Sequence, residues 1–262
     1  MPTVQTGDIT TYYEETGSGE PLVLVCGLSA DLQVWRFLVP ELSKRYRVIC
    51  YDNRGAGRTD APDAPYSITG MADDLAALMD QLKVNSAQIA GWSMGGLIAQ
   101  AFALARPERV RKLVLMSTLG QPDGLFRVGI RNWMNIRRSN MPFEQVLRFV
   151  SQGLYSPAFY DDESRYEKVI QFMVNNPYAQ KPHGLLRQGE ALLGHNPGDA
   201  AKDVRAPTLV LVGPHDTRTP PYQSERLAQI IPSATLKVLS GGHAGFVEFP
   251  AEYGAAIAEF LG

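Results

Sequence analysis

Cysteine is nearly absent from this chain: Cys26 and Cys50 are the only two among 262 residues. Two thiols make neither a disulfide framework nor the ligand set of a structural zinc site. A reducing compartment is the expected environment, with the cytoplasm as the default. Charge of one sign is lacking as well, since 25 basic residues face 27 acidic ones for a net charge of −2. With no basic excess to meet a phosphate backbone, nucleic acid is not an expected partner. No apolar run approaches the roughly 20 residues that span a bilayer, so no membrane association is expected. The segment Met1-Pro2-Thr3-Val4-Gln5 carries neither a basic nor an apolar stretch, and no signal peptide is expected. Histidine is scarce too, with four residues in all, which leaves few candidates for proton transfer at neutral pH.

What is present suits one α/β domain. Apolar residues make up 45% and charged residues 20% of the chain, the balance of an ordinary globular protein with a large core. Short β-branched runs alternate with helical patterns, which points to parallel βαβ units. Strands are expected at 9–15, 22–26, 46–52, 87–90, 113–116, 208–212 and 236–239. Met71, Leu75, Leu78, Met79 and Leu82 recur at helical spacing within 68–82. A further helix should follow residue 93 and stop near Arg106-Pro107, and 253–261 reads as a closing helix. Between about 120 and 197 the strand rhythm gives way to helical patterns, prolines and aromatics. The expected architecture is a mostly parallel central sheet flanked by helices, with 1–119 and 198–262 as core. Residues 120–197 would be a helical cap over the strand ends, where α/β sheets bind ligands.

The most specific signal is Gly91-Trp92-Ser93-Met94-Gly95-Gly96, placed after an apolar strand-like run and before a helix-like one. A G-x-S-x-G sequence at such a junction reads as a nucleophile elbow. Small flanking residues leave room for a strained serine backbone, which lifts the hydroxyl out at the carboxyl end of the sheet. The N-terminus of the following helix aims free N–H groups at developing negative charge.

A serine hydroxyl is a poor nucleophile at neutral pH and needs a base, which in turn needs an orienting group. The histidines after Ser93 are His183, His195, His215 and His243. His243 lies in a glycine-rich loop just after the last strand, and Asp216 follows the strand at 208–212. Both positions deliver their side chains to the sheet edge that carries Ser93. Ser93 would attack, His243 would remove and return the proton, and Asp216 would fix the imidazole tautomer. His215 is the substitute base, whereas His183 and His195 fall in the insertion. The oxyanion needs preorganised donors. Met94 N–H, directly after the nucleophile, is the first, and Leu28 N–H, in the loop opened by Gly27, is the second.

With these residues placed, the chain resembles the α/β-hydrolase fold superfamily over nearly its full length. Asp52-Asn53-Arg54-Gly55-Ala56-Gly57-Arg58-Thr59 is similar to that family's D-x-R-G-x-G-x-S loop, and Gly242-His243 with Glu248 and Pro250 to its histidine loop. The S-M-G-G form of the elbow most resembles 3-oxoadipate enol-lactonases and their carboxylesterase relatives. The resemblance implies a serine hydrolase acting on small carboxylic esters or lactones. It implies no metal or organic cofactor, because nucleophile, base and oxyanion donors are all supplied by the chain. One departure stands out: Cys26-Gly27 occupies the place of the family's usual His-Gly, whose histidine braces the oxyanion loop. Because the donor is a backbone N–H, the change should tune activity. Haloalkane dehalogenases and epoxide hydrolases are similar elsewhere but carry aspartate at the position of Ser93. A serine would leave an ether there, so an acyl-type electrophile is expected.

Trp92, Trp133, Met134 and Phe143 are candidates for an apolar acyl pocket. Arg127, Arg131, Arg137, Arg138 and Arg148 give the early insertion a basic bias that could meet a substrate carboxylate. Two other readings stay open: a C–C bond hydrolase of vinylogous diketones on the same three residues, and a small-molecule binding protein with an incidental triad. For the hydrolase reading, a base must be unprotonated to work, so activity should rise with pH as His243 loses its proton. A rate profile that stays flat between about pH 5 and 9 would count against His243 as the base.

Overall fold

Alternating side chains along one strand explain the layering. In Leu22-Val23-Leu24-Val25 all four residues are fully buried, yet they point to opposite faces. Val23 and Val25 join one core with Ile49, Ile89, Leu75 and Phe102. Leu22 and Leu24 join another with Ala90, Leu42, Phe246 and Ile257. A strand apolar on both sides must be covered on both sides, and helices do this.

The computed structural model describes residues 2–262. The strands are β1 (Thr3–Thr6), β2 (Ile9–Thr16), β3 (Glu20–Val25), β4 (Tyr46–Tyr51), β5 (Ala87–Trp92), β6 (Val110–Met116), β7 (Thr208–Val212) and β8 (Ala234–Val238). They form an eight-stranded sheet in the order β1-β2-β4-β3-β5-β6-β7-β8. The β1–β2 and β2–β4 pairs are antiparallel, and every pair from β4 to β8 across the sheet is parallel. The helices are α1 (Val39–Leu42), α2 (Ile68–Gln81), α3 (Met94–Ala105), α4 (Gly124–Arg138), α5 (Phe143–Ser151), α6 (Pro157–Asp161), α7 (Glu163–Val174), α8 (Pro182–Gly194), α9 (Pro221–Ile230), α10 (Gly245–Glu248) and α11 (Pro250–Leu261). Among the described residues, no helix is long and apolar enough to cross a membrane.

Local chemistry sets several boundaries. Ser67 caps α2 by accepting from Gly70 N, and Asp123 caps α4 by accepting from Phe126 N. The last helix starts at Pro250 rather than at residue 253, because proline at the first helical position suits its missing N–H. Strand β3 ends at Val25, so Cys26 belongs to the loop that follows it. Sequence pattern gave no sign of β1, a short edge strand with a mostly exposed Thr-Val-Gln-Thr sequence. Helices α4 to α8 lie between β6 and β7, where the strand rhythm is interrupted.

The carboxyl ends of β3, β5 and β6 meet the start of α3, and there two backbones touch. A Cβ on Gly95 would lie 2.1 Å from Val25 O and 2.7 Å from Cys26 O. The Val25 carbonyl is fixed in β3, and the Cys26 carbonyl is held by Asn53 Nδ2. Gly95→Ala should therefore destabilise the fold by about 3 kcal/mol or more. Gly129, inside α4, has nothing within 4 Å of its Cβ position, so Gly129→Ala should stabilise by about 0.5–1 kcal/mol. Urea unfolding of the two variants checks the opposite signs.

Candidate active site

Ser93 occupies the turn between β5 and α3 with φ 55° and ψ −117°, a backbone region that a non-glycine residue enters only under constraint. The constraint is visible. Ser93 N–H donates to Met116 O at 2.9 Å, while Gly96 N and Thr118 Oγ1 donate to Ser93 O at 2.9 and 2.8 Å. A Cβ on Gly91 would lie 2.3 Å from Gly95 O, so the turn closes only over glycine.

The loop after β3 runs against this turn. A Cβ on Gly27 would be 3.2 Å from the Ser93 Cβ, and Leu28 and Ser93 line one cleft. Met94 is the first residue of α3, so its N–H is among the donors that a helix start leaves unpaired. The loop is braced without the family's histidine. Asn53 Nδ2 donates to Cys26 O at 2.8 Å, and Leu32 N–H donates to Asp52 Oδ1 at 2.7 Å. The Cys26 side chain is fully enclosed, with its thiol held above its ordinary value by burial and then by nearby Asp52. An imidazole would have to displace packed neighbours there, at a cost of about 1–3 kcal/mol.

Asp216 and His243 are buried, at 3% and 4% exposure. His243 Nδ1 lies 3.0 and 2.9 Å from the two carboxylate oxygens, so Nδ1–H donates to Asp216. Nε2 is left for the cleft that His243 shares with Ser93. The carboxylate is held by more than the imidazole: Oδ1 accepts from Arg218 N and Thr219 N, each at 2.9 Å, and Oδ2 from Thr219 Oγ1 at 2.9 Å. Burial alone would raise the Asp216 pKa. His243 and these donors outweigh it, and the carboxyl sits below the ordinary value. The imidazole loop is fixed as well, because Trp92 Nε1 donates to His243 O at 2.8 Å and Gly242 N to Glu248 Oε1 at 2.7 Å.

The cleft measures about 340 Å³, within the range of small-ligand sites. Helices α4 and α5 supply Phe126, Ile130, Trp133, Phe149 and Val150 to its wall. A second cavity adjoins it and shares Leu28, Trp133 and Val150. Trp92, Trp133 and Phe143 line this second cavity. Met134 lines neither. Its side chain is buried in the seam between α4 and α8, with its sulfur 2.7 Å from the Cβ position of Gly189, because helical spacing turns it toward the neighbouring helix.

The five arginines also separate. Arg148 pairs with Glu144 and Glu167, Arg127 donates to the Leu193 and His195 carbonyls, Arg131 is exposed and Arg138 half-buried. Arg137 alone lines the second cavity, stacked over Phe143 and donating to Gln180 O at 3.1 Å. Arg36, from the short 3-10 turn Leu32–Phe37, lines it too and stacks over Phe172. Burial holds both guanidinium groups below their ordinary values. Of the other histidines, His183 is tied to Ala61 O and His195 caps α8, while His215 is exposed. Among the described residues, no cluster of three or more His, Cys, Asp or Glu side chains could hold a metal ion. Sequence reasoning missed Thr219. An Asp followed three residues later by Thr is the pattern of a local side-chain turn, and that spacing could have found it.

A mostly parallel sheet that carries a serine on its strand-to-helix turn, in one cleft with a buried histidine from a later loop, is the scaffold of a hydrolase-type α/β enzyme. The chain belongs to the alpha/beta hydrolase fold family, whose model matches residues 20–250. It is 32% identical to a protein of Azorhizobium caulinodans provisionally named carbamate hydrolase RutD, over 100% of this chain and 98% of that one. A crystal structure of a hydrolase from Pseudomonas aeruginosa PA01 superposes with a TM-score of 0.91 at 27% identity, covering 100% of this chain and 98% of that one. The enol-lactonase from Burkholderia xenovorans LB400 gives a TM-score of 0.89 at 27% identity and covers 99% of both chains.

The low Asp216 pKa has a sign that can be checked. A carboxyl whose folded pKa lies below its unfolded value adds stability above the unfolded value, about 3.9, and loses it as pH falls through the folded one. Asp216→Asn should thus be less stable than the parent at neutral pH. The gap should shrink below about pH 4 in thermal unfolding.

Proposed function

We propose that this protein is a serine hydrolase that cleaves small carboxylic esters or lactones through an acyl-enzyme on Ser93. The observation that carries this reading is the His243–Asp216 pair: Nδ1 is spent on the carboxylate, and His243 and Ser93 line the same cleft. As Ser93 Oγ attacks the carbonyl carbon, His243 Nε2 takes the hydroxyl proton and Asp216 stabilises the resulting imidazolium. The carbonyl oxygen becomes an oxyanion that accepts from Leu28 N–H and Met94 N–H. Collapse breaks the C–O bond to the leaving oxygen, which receives the proton from His243. In a lactone this step opens the ring. Water, deprotonated by His243, then attacks the acyl carbon and releases Ser93 and a carboxylic acid.

Helices α4 to α8, within residues 120–197, act in this reading as the cap, and 1–119 with 198–262 as the catalytic core. Trp92, Trp133 and Phe143 line the chamber next to the cleft and suit an apolar acyl or alcohol group. Arg36 and Arg137 put two cations without a carboxylate partner among the described residues into that chamber. Arg137 is half-buried and Arg36 exposed, and a guanidinium outside any ion pair is free to meet a carboxylate, which favours a substrate whose apolar part ends in one. The enol-lactonase and the provisionally named carbamate hydrolase among the relatives both carry names for attack at an acyl-type carbonyl, in line with a serine rather than an aspartate at position 93.

Two measurements test the reading. Hydrolysis of p-nitrophenyl acetate, butyrate and octanoate should fall about 10⁴-fold or more in Ser93→Ala. Equal turnover by both proteins would reject Ser93 as nucleophile, and no turnover by the parent would favour a binding protein. Arg137→Met should raise KM for esters with a terminal carboxylate about tenfold relative to their uncharged counterparts.

A further inference from the structure

The family's oxyanion-loop histidine is replaced by Cys26, yet the loop carries a second strained residue. Ser29, next to the proposed donor Leu28, holds φ 67°. A non-glycine residue stays in that region only when its surroundings hold it there. Its N–H donates to Gln188 Oε1 at 3.3 Å. Gln188 lies on α8, nearly 160 residues away in sequence, and its side chain is 0% exposed.

The amide orientation of Gln188 follows from its partners. Nε2 donates at 2.7 Å to Arg54 O, which can only accept, while Ser29 N–H can only donate. Gln188 therefore ties the loop after β3 to the loop after β4. A second glutamine reinforces it: Gln180 Nε2 donates to Gln188 Oε1 and to Gly55 O, each at 2.9 Å. Helix α8 is seated close enough for this because Gly184, one turn before Gln188, rests on the Gly55 backbone. A Cβ there would lie 2.2 Å from Gly55 O.

We propose that Gln188 is a positioning residue for the oxyanion hole, taking over from α8 the bracing that the family's histidine gives from within the loop. This rests on the reading of Leu28 N–H as an oxyanion donor. Ser29 N–H is the next peptide along the chain, so fixing it limits rotation of the Leu28–Ser29 segment. Gln188 acts through this backbone and touches no reacting atom in the scheme. The consequence is specific: α8 seated on the core holds the hole in shape, and loss of the amide should weaken binding of the transition state more than binding of the substrate.

The test is steady-state kinetics of Gln188→Met on p-nitrophenyl butyrate, with a trifluoromethyl ketone as transition-state analogue. Displacing one oxyanion donor should lower kcat about 10- to 100-fold. KM should stay within about threefold and the ketone Ki should rise in proportion to the loss in kcat/KM. Arg187→Met, on the same helix, removes only ion pairs to Asp63 and Glu190, leaves the Gln188–Ser29 bond intact and should stay within about threefold of the parent. If Gln188→Met does not fold, Gln188→Ala leaves room for water to meet Ser29 N–H and Arg54 O and should show the same split. A lowered melting temperature with kcat and Ki unchanged, or a change confined to KM, would overturn the proposal and leave Gln188 a packing residue. Failure of the serine hydrolase reading itself looks different: the parent would then neither turn over the ester nor bind the ketone.

Discussion

Everything at the sheet edge depends on the backbone of Ser93 being held at φ 55°. Such a conformation costs about 1–3 kcal/mol for a non-glycine residue. It persists because the turn is packed on every side. Gly91 faces the Gly95 backbone, Gly95 lies on the Val25 and Cys26 carbonyls, and Gly96 touches Thr118 after β6. Strand β5 brings six consecutive buried residues into the turn, and their burial offsets the strain. The same contacts set the distance between the start of α3 and the loop of Gly27 and Leu28, so a stability requirement and the geometry of the cleft share their atoms.

Around that rigid point, the loops are held by polar ties to the segment between β6 and β7. Glu248 accepts from Gly242 N beside the imidazole and from Ser156 N and Oγ in the insertion. Ala244 N donates to Leu154 O at 2.7 Å. Arg218, two residues after Asp216, reaches the Val150 and Gln152 carbonyls at the end of α5, where a helix terminus favours a cation. Gln188 does the same for the loop after β3. These ties fix each loop against that segment, although Arg218 Nε is left without a partner. The helices over the cleft and the loops below it therefore adjust together.

Much of the fold could be read in the sequence because its central strands are apolar on both faces and its turns are marked by glycine and proline. The strand at 208–212 was expected and found with the same bounds, since Thr-Leu-Val-Leu-Val leaves no competing periodicity. Strand β1 was invisible because a four-residue edge strand buries too little to shape its composition. The candidate site residues divide by the same physics. Ser93, Asp216 and His243 stand in local motifs at strand ends, so spacing pointed to them. Gln188 and Arg36 owe their placement to tertiary packing, and a glutamine on a helix reads as a solvated residue until the helix is docked. Met134 shows the converse: helical spacing marks a residue as inward-facing without saying whether it faces a neighbouring helix or a cavity.

The central claim is that Ser93 is a nucleophile activated by His243. Its most direct test is intact-protein and peptide mass spectrometry after a fluorophosphonate is mixed with the parent, Ser93→Ala and His243→Ala. The account predicts one adduct in the parent, mapped to Ser93, none in Ser93→Ala, and labelling slowed by several orders of magnitude in His243→Ala. An unlabelled parent, or an adduct at another residue, would contradict it.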